Sequence, residues 1–282
     1  MTLTYLGYRL AQSLSKTLPP AAAFGLAQWL SDLRWRSCAR DRKAVAINRS
    51  LIEGAPVAER SVLVRETFRN FGRYLVEFFT IHRVEHPEVQ IEGLEHVRGA
   101  LAHGRGAIGL TAHLGNWELC GMLLHRLGIP VTAVALPHDD PRMDRMFNRQ
   151  RQRCGVGIIP LGPEATRRSL QVLRRGELLG LLGDREFSRH ELRVTLCGRQ
   201  VIFPRGPATL SLRSHAPTVP LFLLREGRWK LRLHCEPPIW PAMAKDAETA
   251  IRGMTQAYAG VLERYLKRYP DQWLVFQPVV GG

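Results

Sequence analysis

The chain has 282 residues, 45% of them hydrophobic, which fits one large domain, or a domain with an appendage, around a sizeable core. Forty Lys and Arg against 25 Asp and Glu give a net charge of +15, so the partner expected is anionic: phospholipid headgroups, CoA phosphates or an acidic carrier protein. Nucleic acid has the right charge too, but no recognisable nucleic-acid-binding motif accompanies the basic residues, and it is not expected. The cysteines, Cys38, Cys120, Cys154, Cys197 and Cys235, are scattered without zinc or redox spacing, which suits packing roles in a reducing setting.

In chain order, Leu3, Leu6, Leu10 and Leu14 recur at helical spacing, and a second stripe follows in Leu26, Trp29, Leu30 and Leu33. Arg34, Arg36, Arg40, Arg42 and Lys43 come directly after it. An apolar stripe beside arginines suits a helix lying in a membrane interface; the same stripes also suit packing on the protein's own core. No secretory leader is expected, because Arg9 and Lys16 fall within the first stripe and Pro19-Pro20 interrupts it. Nor does any run reach the ~18–20 apolar residues that a spanning helix needs. Residues 57–82 read as another helix, with Leu63, Phe68, Phe71, Leu75, Phe78 and Phe79 on its apolar positions. His82 and His86 have a metal-compatible spacing, but Pro87 follows and no third ligand is evident, so no metal is expected. Residues 1–89 are thus a helical N-terminal part.

Residues 90–282 read as an α/β part. Strands are expected at Ala107–Ala112, Val131–Leu136, Val156–Leu161 and Leu178–Gly183, with helices at Pro141–Arg153 and Pro163–Arg175, each opened by a proline. Strands at Leu192–Leu196, Thr218–Arg225 and Trp229–Cys235 follow, then a long helix from Lys245 to Tyr269, and Gln272–Gln277 closes the chain. This alternation predicts an α/β fold, a mostly parallel central sheet flanked by helices, with the helical N-terminal part covering it.

The first of these strands runs straight into His113, so the imidazole falls at the carboxyl edge of the sheet, where open α/β sheets bind ligands. Gly115 allows a turn, Asn116 caps a helix starting near Trp117, and Glu118 lies in its first turn. A strand end, a turn and a helix start can bring His113 and Glu118 together. A carboxylate on one imidazole nitrogen fixes the tautomer and leaves the other nitrogen as a base for a substrate hydroxyl. Glu118 is expected to orient His113 in this way.

The segment His113-Leu-Gly-Asn-Trp-Glu118 resembles the His-x4-Asp/Glu motif of the lysophospholipid acyltransferase superfamily. Its fuller form is similar to the branch of lipid A biosynthesis (lauroyl/myristoyl) acyltransferases and phosphatidylinositol mannoside acyltransferases. The resemblance covers about Ile91 to Trp273. It implies transfer of an acyl chain from acyl-CoA or acyl carrier protein to a glycolipid hydroxyl, without a cofactor, at the cytoplasmic face of the inner membrane and in contact with anionic lipids. Water in place of the acceptor would make the same base a thioesterase or lipid hydrolase, and a protein without activity would be a basic lipid-binding one.

Further segments carry the resemblance. Arg142, Arg145, Arg149 and Arg153 fall within one ~80° stripe of a helix, suited to gripping phosphates or to a solvated basic face. The family's Asn-Arg-x-Arg is matched by Asn148-Arg149-Gln150-Arg151. Asp184-Arg185-Glu186 follows a strand, resembles the mannoside branch's Asp-Arg-Asp, and offers Asp184 or Glu186 as a second carboxylate near His113. Phe203-Pro-Arg-Gly-Pro-Ala208 resembles that branch's Pro-x-Gly-Pro-Ala element, with Arg205 where glycerol-phosphate acyltransferases carry an acid. Backbone N–H groups at the helix start beyond it suit an anion. The substrate-binding set expected is therefore Asn116, Arg142, Arg145, Arg149, Arg151, Asp184, Arg185, Glu186, Arg205 and Gly206.

Overall fold

Short apolar runs such as Ala107-Ile-Gly-Leu-Thr111 and Leu178-Leu-Gly-Leu-Leu182 have no polar face, and they form the middle of the sheet, buried on both sides. The computed structural model describes residues 3–81, 88–185, 191–227, 230–241 and 246–279. Its elements in chain order are α1 (Leu3–Thr17), α2 (Pro20–Ser37), α3 (Ala39–Glu53), α4 (Val62–Thr80), β1 (Glu88–Glu92), α5 (Leu94–Ala102), β2 (Ala107–Thr111), α6 (Trp117–Arg126), β3 (Val131–Ala135) and α7 (Pro141–Arg153). Then come β4 (Gly157–Pro160), α8 (Ala165–Arg174), β5 (Leu178–Leu182), β6 (Glu191–Leu196), β7 (Arg199–Pro204), α9 (Gly206–Ser214), β8 (Thr218–Gly227), β9 (Lys230–Cys235) and α10 (Ala247–Arg268).

Seven strands form one sheet in the order β1-β9-β8-β2-β5-β3-β4, with β2 and β5 at its centre. Its pairings are parallel except β8 with β9, so the expected mostly parallel sheet is present. Ile108, Leu110, Leu179 and Leu181 pack on one face with Tyr258, Leu262 and Leu266 of α10. On the other face Leu178, Val219 and Leu221 pack with Phe78 and Phe79 of α4, Met122 of α6 and Phe147 of α7. The helical N-terminal part thus shares its core with the sheet.

Helix starts follow their caps. Pro141 occupies the first turn of α7, as the sequence predicts, and Asp140 caps it by accepting from the Arg142 amide. Helix α4 begins at Val62 because the Ser61 hydroxyl caps it, five residues later than expected. Strands β6 and β7 form a separate antiparallel hairpin, turned at Cys197 and Gly198, both at positive φ. It packs on α10, where Gln256 bonds both the amide and the carbonyl of Thr195. The sequence reading had only the first of these two strands, because Gly198 did not stand out as a turn.

The end of the chain is tied back across the molecule. After a 3-10 turn at Pro270–Gln272, Trp273 bridges Leu114. Asn48 of α3 donates to the carbonyls of Val275 (3.0 Å) and Gln277 (2.9 Å), and its oxygen accepts from the Val279 amide (3.1 Å). Asn48 is buried, so removing its amide strands those backbone groups at about 1–3 kcal/mol each. Asn48→Ala is expected to lose about 2–4 kcal/mol of unfolding free energy in urea titrations; a loss below about 0.5 kcal/mol would show that the tie is dispensable.

Candidate active site

Strand register decides which carboxylate meets His113. In the parallel pair β2–β5, Thr111 is aligned with Leu182. His113 and Asp184 each follow two residues later, so they leave the sheet side by side at its carboxyl edge. The His113 Nδ1 lies 2.8 Å from Asp184 Oδ1, and the His113 amide donates to Oδ2 at 2.9 Å. The Trp273 indole donates to the same Oδ2 at 2.9 Å.

Asp184 has no solvent exposure. Burial by itself raises its carboxyl pKa; the charge of His113 and hydrogen bonds from His113 and Trp273 outweigh that and hold it below the ordinary 3.8. An ionised carboxylate only accepts, so Nδ1 carries the proton and Nε2 keeps its lone pair. Nε2 is the ring nitrogen that Asp184 leaves open. The ring is positioned further by Trp117, edge-on at 5.0 Å, which stacks on Tyr74 at 4.4 Å.

The orienting carboxylate is therefore Asp184, and the expectation for Glu118 is corrected. Glu118 does start helix α6, but there it faces α7, and both its oxygens accept from Arg151, Oε2 from Nε at 2.9 Å and Oε1 from Nη2 at 2.5 Å. Both side chains of this pair are largely buried. Burial disfavours the Arg151 charge, yet Glu118 outweighs it and raises the guanidinium pKa. A chain of bonds runs on from Arg151 to Asn148 (2.7 Å) and from Asn148 to Asp144 (2.9 Å). His138 lies beside this cluster, its imidazole pKa lowered by burial and by Arg151.

Helix α7 thus has two charged faces. Arg151 points inward, roughly 180° around the helix from the middle of the arginine stripe. Arg145, Arg149 and Arg153 are exposed on the outer face. Arg142 is bound to Asp140 at 3.0 and 2.7 Å and lies over the Tyr5 ring of α1, its guanidinium carbon 4.6 Å from the ring centre. The expected stripe exists, but it faces away from Arg151 and Glu118.

The remaining expected residues are dispersed. Asn116 is buried and caps α6, its oxygen accepting from the Leu119 amide at 3.2 Å. Arg185 donates to Gln277 at 2.5 Å. Arg205 is paired with Glu248 at 2.6 Å, and Gly206 opens α9 at an exposed position. Glu186, and also His82 and His86, lie outside the described residues. Trp273 was missed as a site residue, since nothing near it in sequence marks its partner. The cysteines are not thiolate candidates where burial acts on them: it pushes the Cys235 thiol up to about 12 and the Cys197 thiol up to about 11.

A histidine bonded to a buried carboxylate at the carboxyl edge of a parallel sheet has the geometry of a general base for a hydroxyl. The description of bacterial lipid A biosynthesis acyltransferases matches residues 3–279, and the chain belongs to that family of acyltransferases. It is 27% identical to the phosphatidylinositol mannoside acyltransferase of Mycolicibacterium smegmatis over 98% of this chain and 91% of that protein. It is 26% identical to the lipid A biosynthesis lauroyltransferase of Escherichia coli over 96% of this chain and 89% of that one. A lipid A biosynthesis acyltransferase of Haemophilus influenzae is 27% identical over 64% of this chain and 56% of its own length.

The lowered carboxyl of Asp184 has a consequence for acid stability. A group depressed on folding contributes fully above its ordinary pKa, and the contribution is lost as pH falls through the folded value. Wild-type protein is therefore expected to lose unfolding free energy more steeply below pH ~4 than Asp184→Asn, which has no charge to lose. Parallel acid titrations by circular dichroism at fixed urea would contradict this if the two slopes coincide.

Proposed function

We propose that the protein moves a fatty acyl chain from acyl-CoA or acyl carrier protein to a hydroxyl of a glycolipid, working peripherally at the cytoplasmic face of the membrane. The observation that carries the chemistry is the bond between His113 Nδ1 and Asp184. The Nε2 lone pair takes the hydroxyl proton as the acceptor oxygen attacks the thioester carbonyl carbon. The new C–O bond forms, the C–S bond breaks, and the imidazolium returns its proton to the departing thiolate. Asp184 stabilises the imidazolium between these steps, as a buried carboxylate does in a hydrolase triad, without accepting the proton itself.

The acceptor class rests on the relatives, named for phosphatidylinositol mannoside and for lipid A. Both are glycolipids with many hydroxyls, and the chain aligns over nearly its whole length with a member of each group.

With purified protein, acyl-CoA or acyl carrier protein and each acceptor class, His113→Ala is expected to lower kcat by ~10²–10⁴. Asp184→Asn should lower kcat with little change in KM, and should lower it more than Glu118→Gln does. A folded His113→Ala enzyme with wild-type transfer would falsify the mechanism. Thiol release at the same rate without any glycolipid would make the protein a hydrolase instead.

Membrane contact is supported by the outer surface of the N-terminal helices. Leu10 (60%), Trp29 (61%) and Leu33 (50%) are exposed on α1 and α2, while no described helix is long and apolar enough to cross a membrane. Helix α1 packs on α7 through Tyr8 and Phe147, rings 5.8 Å apart. Lys16 is depressed by burial and by the charges of Arg153 and Arg9, a crowding of cations that anionic headgroups relieve. Surface Lys or Arg near anionic lipid contribute about 1 kcal/mol each, and salt screens them. Flotation with anionic liposomes is expected to be strong at low salt, reduced at high salt, and largely abolished in Leu10→Asp/Trp29→Asp. Unchanged flotation of that folded variant would move the contact elsewhere.

A further inference from the structure

The turn that carries His113 is held from below by a buried ion pair that has no part in the chemistry described so far. Glu77 of α4 is 1% exposed. Its Oε2 accepts from Asn116 Nδ2 at 2.8 Å, and its Oε1 accepts from Nη1 of Arg225 in β8. Each oxygen thus serves one partner. Because a carboxylate cannot donate, Glu77 forces the Asn116 amide to present its NH2 group downward. The Asn116 oxygen is thereby left for the Leu119 amide that starts α6.

The bonds close into a ring. The Asn116 amide donates to the Leu223 carbonyl at 2.8 Å, and the Gly115 amide to the Gln272 carbonyl at 3.0 Å. The Gln272 side chain grips the Arg225 backbone twice, accepting from its amide at 2.9 Å and donating to its carbonyl at 2.8 Å. The Leu274 amide donates to the His113 carbonyl at 2.7 Å. Between Gln272 and Leu274 stands Trp273, which donates to Asp184. The ring has no slack at Gly115: φ is +66°, and a Cβ there would lie 2.1 Å from the Leu223 carbonyl oxygen.

We infer that Glu77 and Arg225 are positioning residues that set His113 and the Trp273–Asp184 contact together; the inference rests on His113 being the base. Glu77 acts on the histidine side through Asn116, and on the carboxylate side through Arg225 and Gln272. Stability alone does not call for this pair. Burying two charges is expensive, and apolar replacements of similar volume are often neutral or stabilising. Among the described residues Arg225 Nε is moreover buried without a partner, a further penalty that packing would not select.

The test uses two variants and two readouts. Glu77→Gln keeps the shape but places an NH2 group against either Asn116 or Arg225. Glu77→Leu/Arg225→Met removes the charges and restores an apolar interior, leaving Asn116 Nδ2 only the more distant Tyr74 carbonyl, at 3.4 Å. The first readout is the His113 ring Nδ1–H resonance in 15N-histidine-labelled protein, identified by its absence from His113→Ala. The second is steady-state acyl transfer.

Both variants are expected to shift or broaden the His113 resonance and to lower kcat about tenfold or more, with donor KM within about twofold. The double variant should do so while melting at or above the wild-type temperature. A double variant with wild-type melting, wild-type His113 resonance and wild-type kcat would reduce the pair to a structural element and overturn the inference. Should Glu77→Gln fail to fold, the double variant decides alone. If wild-type protein transfers no acyl group, the acyltransfer reading fails by itself, and the His113 resonance still decides whether the pair positions the ring.

Discussion

A carboxylate with no access to water must be answered by donors inside the protein, and Asp184 organises the sheet edge around that requirement. Its oxygens are met by the His113 ring and amide and by the Trp273 indole. The donors come from two constraints: the ring and amide from the register of β2 against β5, the indole from the returning C-terminal segment. Leaving any of them unmade would strand a buried charge, an expense of several kcal/mol. The pairing that gives His113 its basic nitrogen is therefore also what locks the last segment of the chain to the sheet. The geometry of the candidate site and the tertiary structure have one electrostatic origin here.

Helix α7 shows how one element serves two environments. Its apolar face, Met143, Met146 and Phe147, packs into the core beside α4 and α6. From the inward edge Arg151 reaches Glu118, and the opposite edge carries the exposed arginines. The desolvated guanidinium is paired and the exposed ones face solvent, as the energetics of burial demand. Arg149 and Arg151 stand next to each other in the motif yet lie on opposite faces, so a motif match alone does not say which of them touches a substrate.

Much of this was legible in the sequence. The apolar runs Ala107–Ala112 and Leu178–Gly183 mark the central strands to within a residue, and Pro141 marks the start of α7 at the residue observed. His113 was placed at the strand end by the same reasoning. What was not legible is pairing across the sheet. Strand order is set by how crossover helices pack, so nothing local says that β5 lies beside β2. The resemblance does offer Asp184 as a second carboxylate near His113, where the structure has it, but with that neighbour unknown the orienting role falls to Glu118, the nearest carboxylate in sequence. Glu77, Arg225 and Gln272 were invisible for the same reason: each is an ordinary residue of its own element, and only the folded chain brings them under one turn.

The position of Trp273 after α10 also orders events in time. Synthesis proceeds from the N-terminus, and N-terminal structure forms first. The leucines and tryptophan of α1 and α2 are made long before the indole that completes the Asp184 site and the Gln272 side chain that braces Arg225. A nascent chain that has reached α9 holds His113 and Asp184 but neither of these supports. The exposed apolar surface of α1 and α2 is thus made early, and the His113–Asp184 pair gains these supports only once the segment after α10 has emerged.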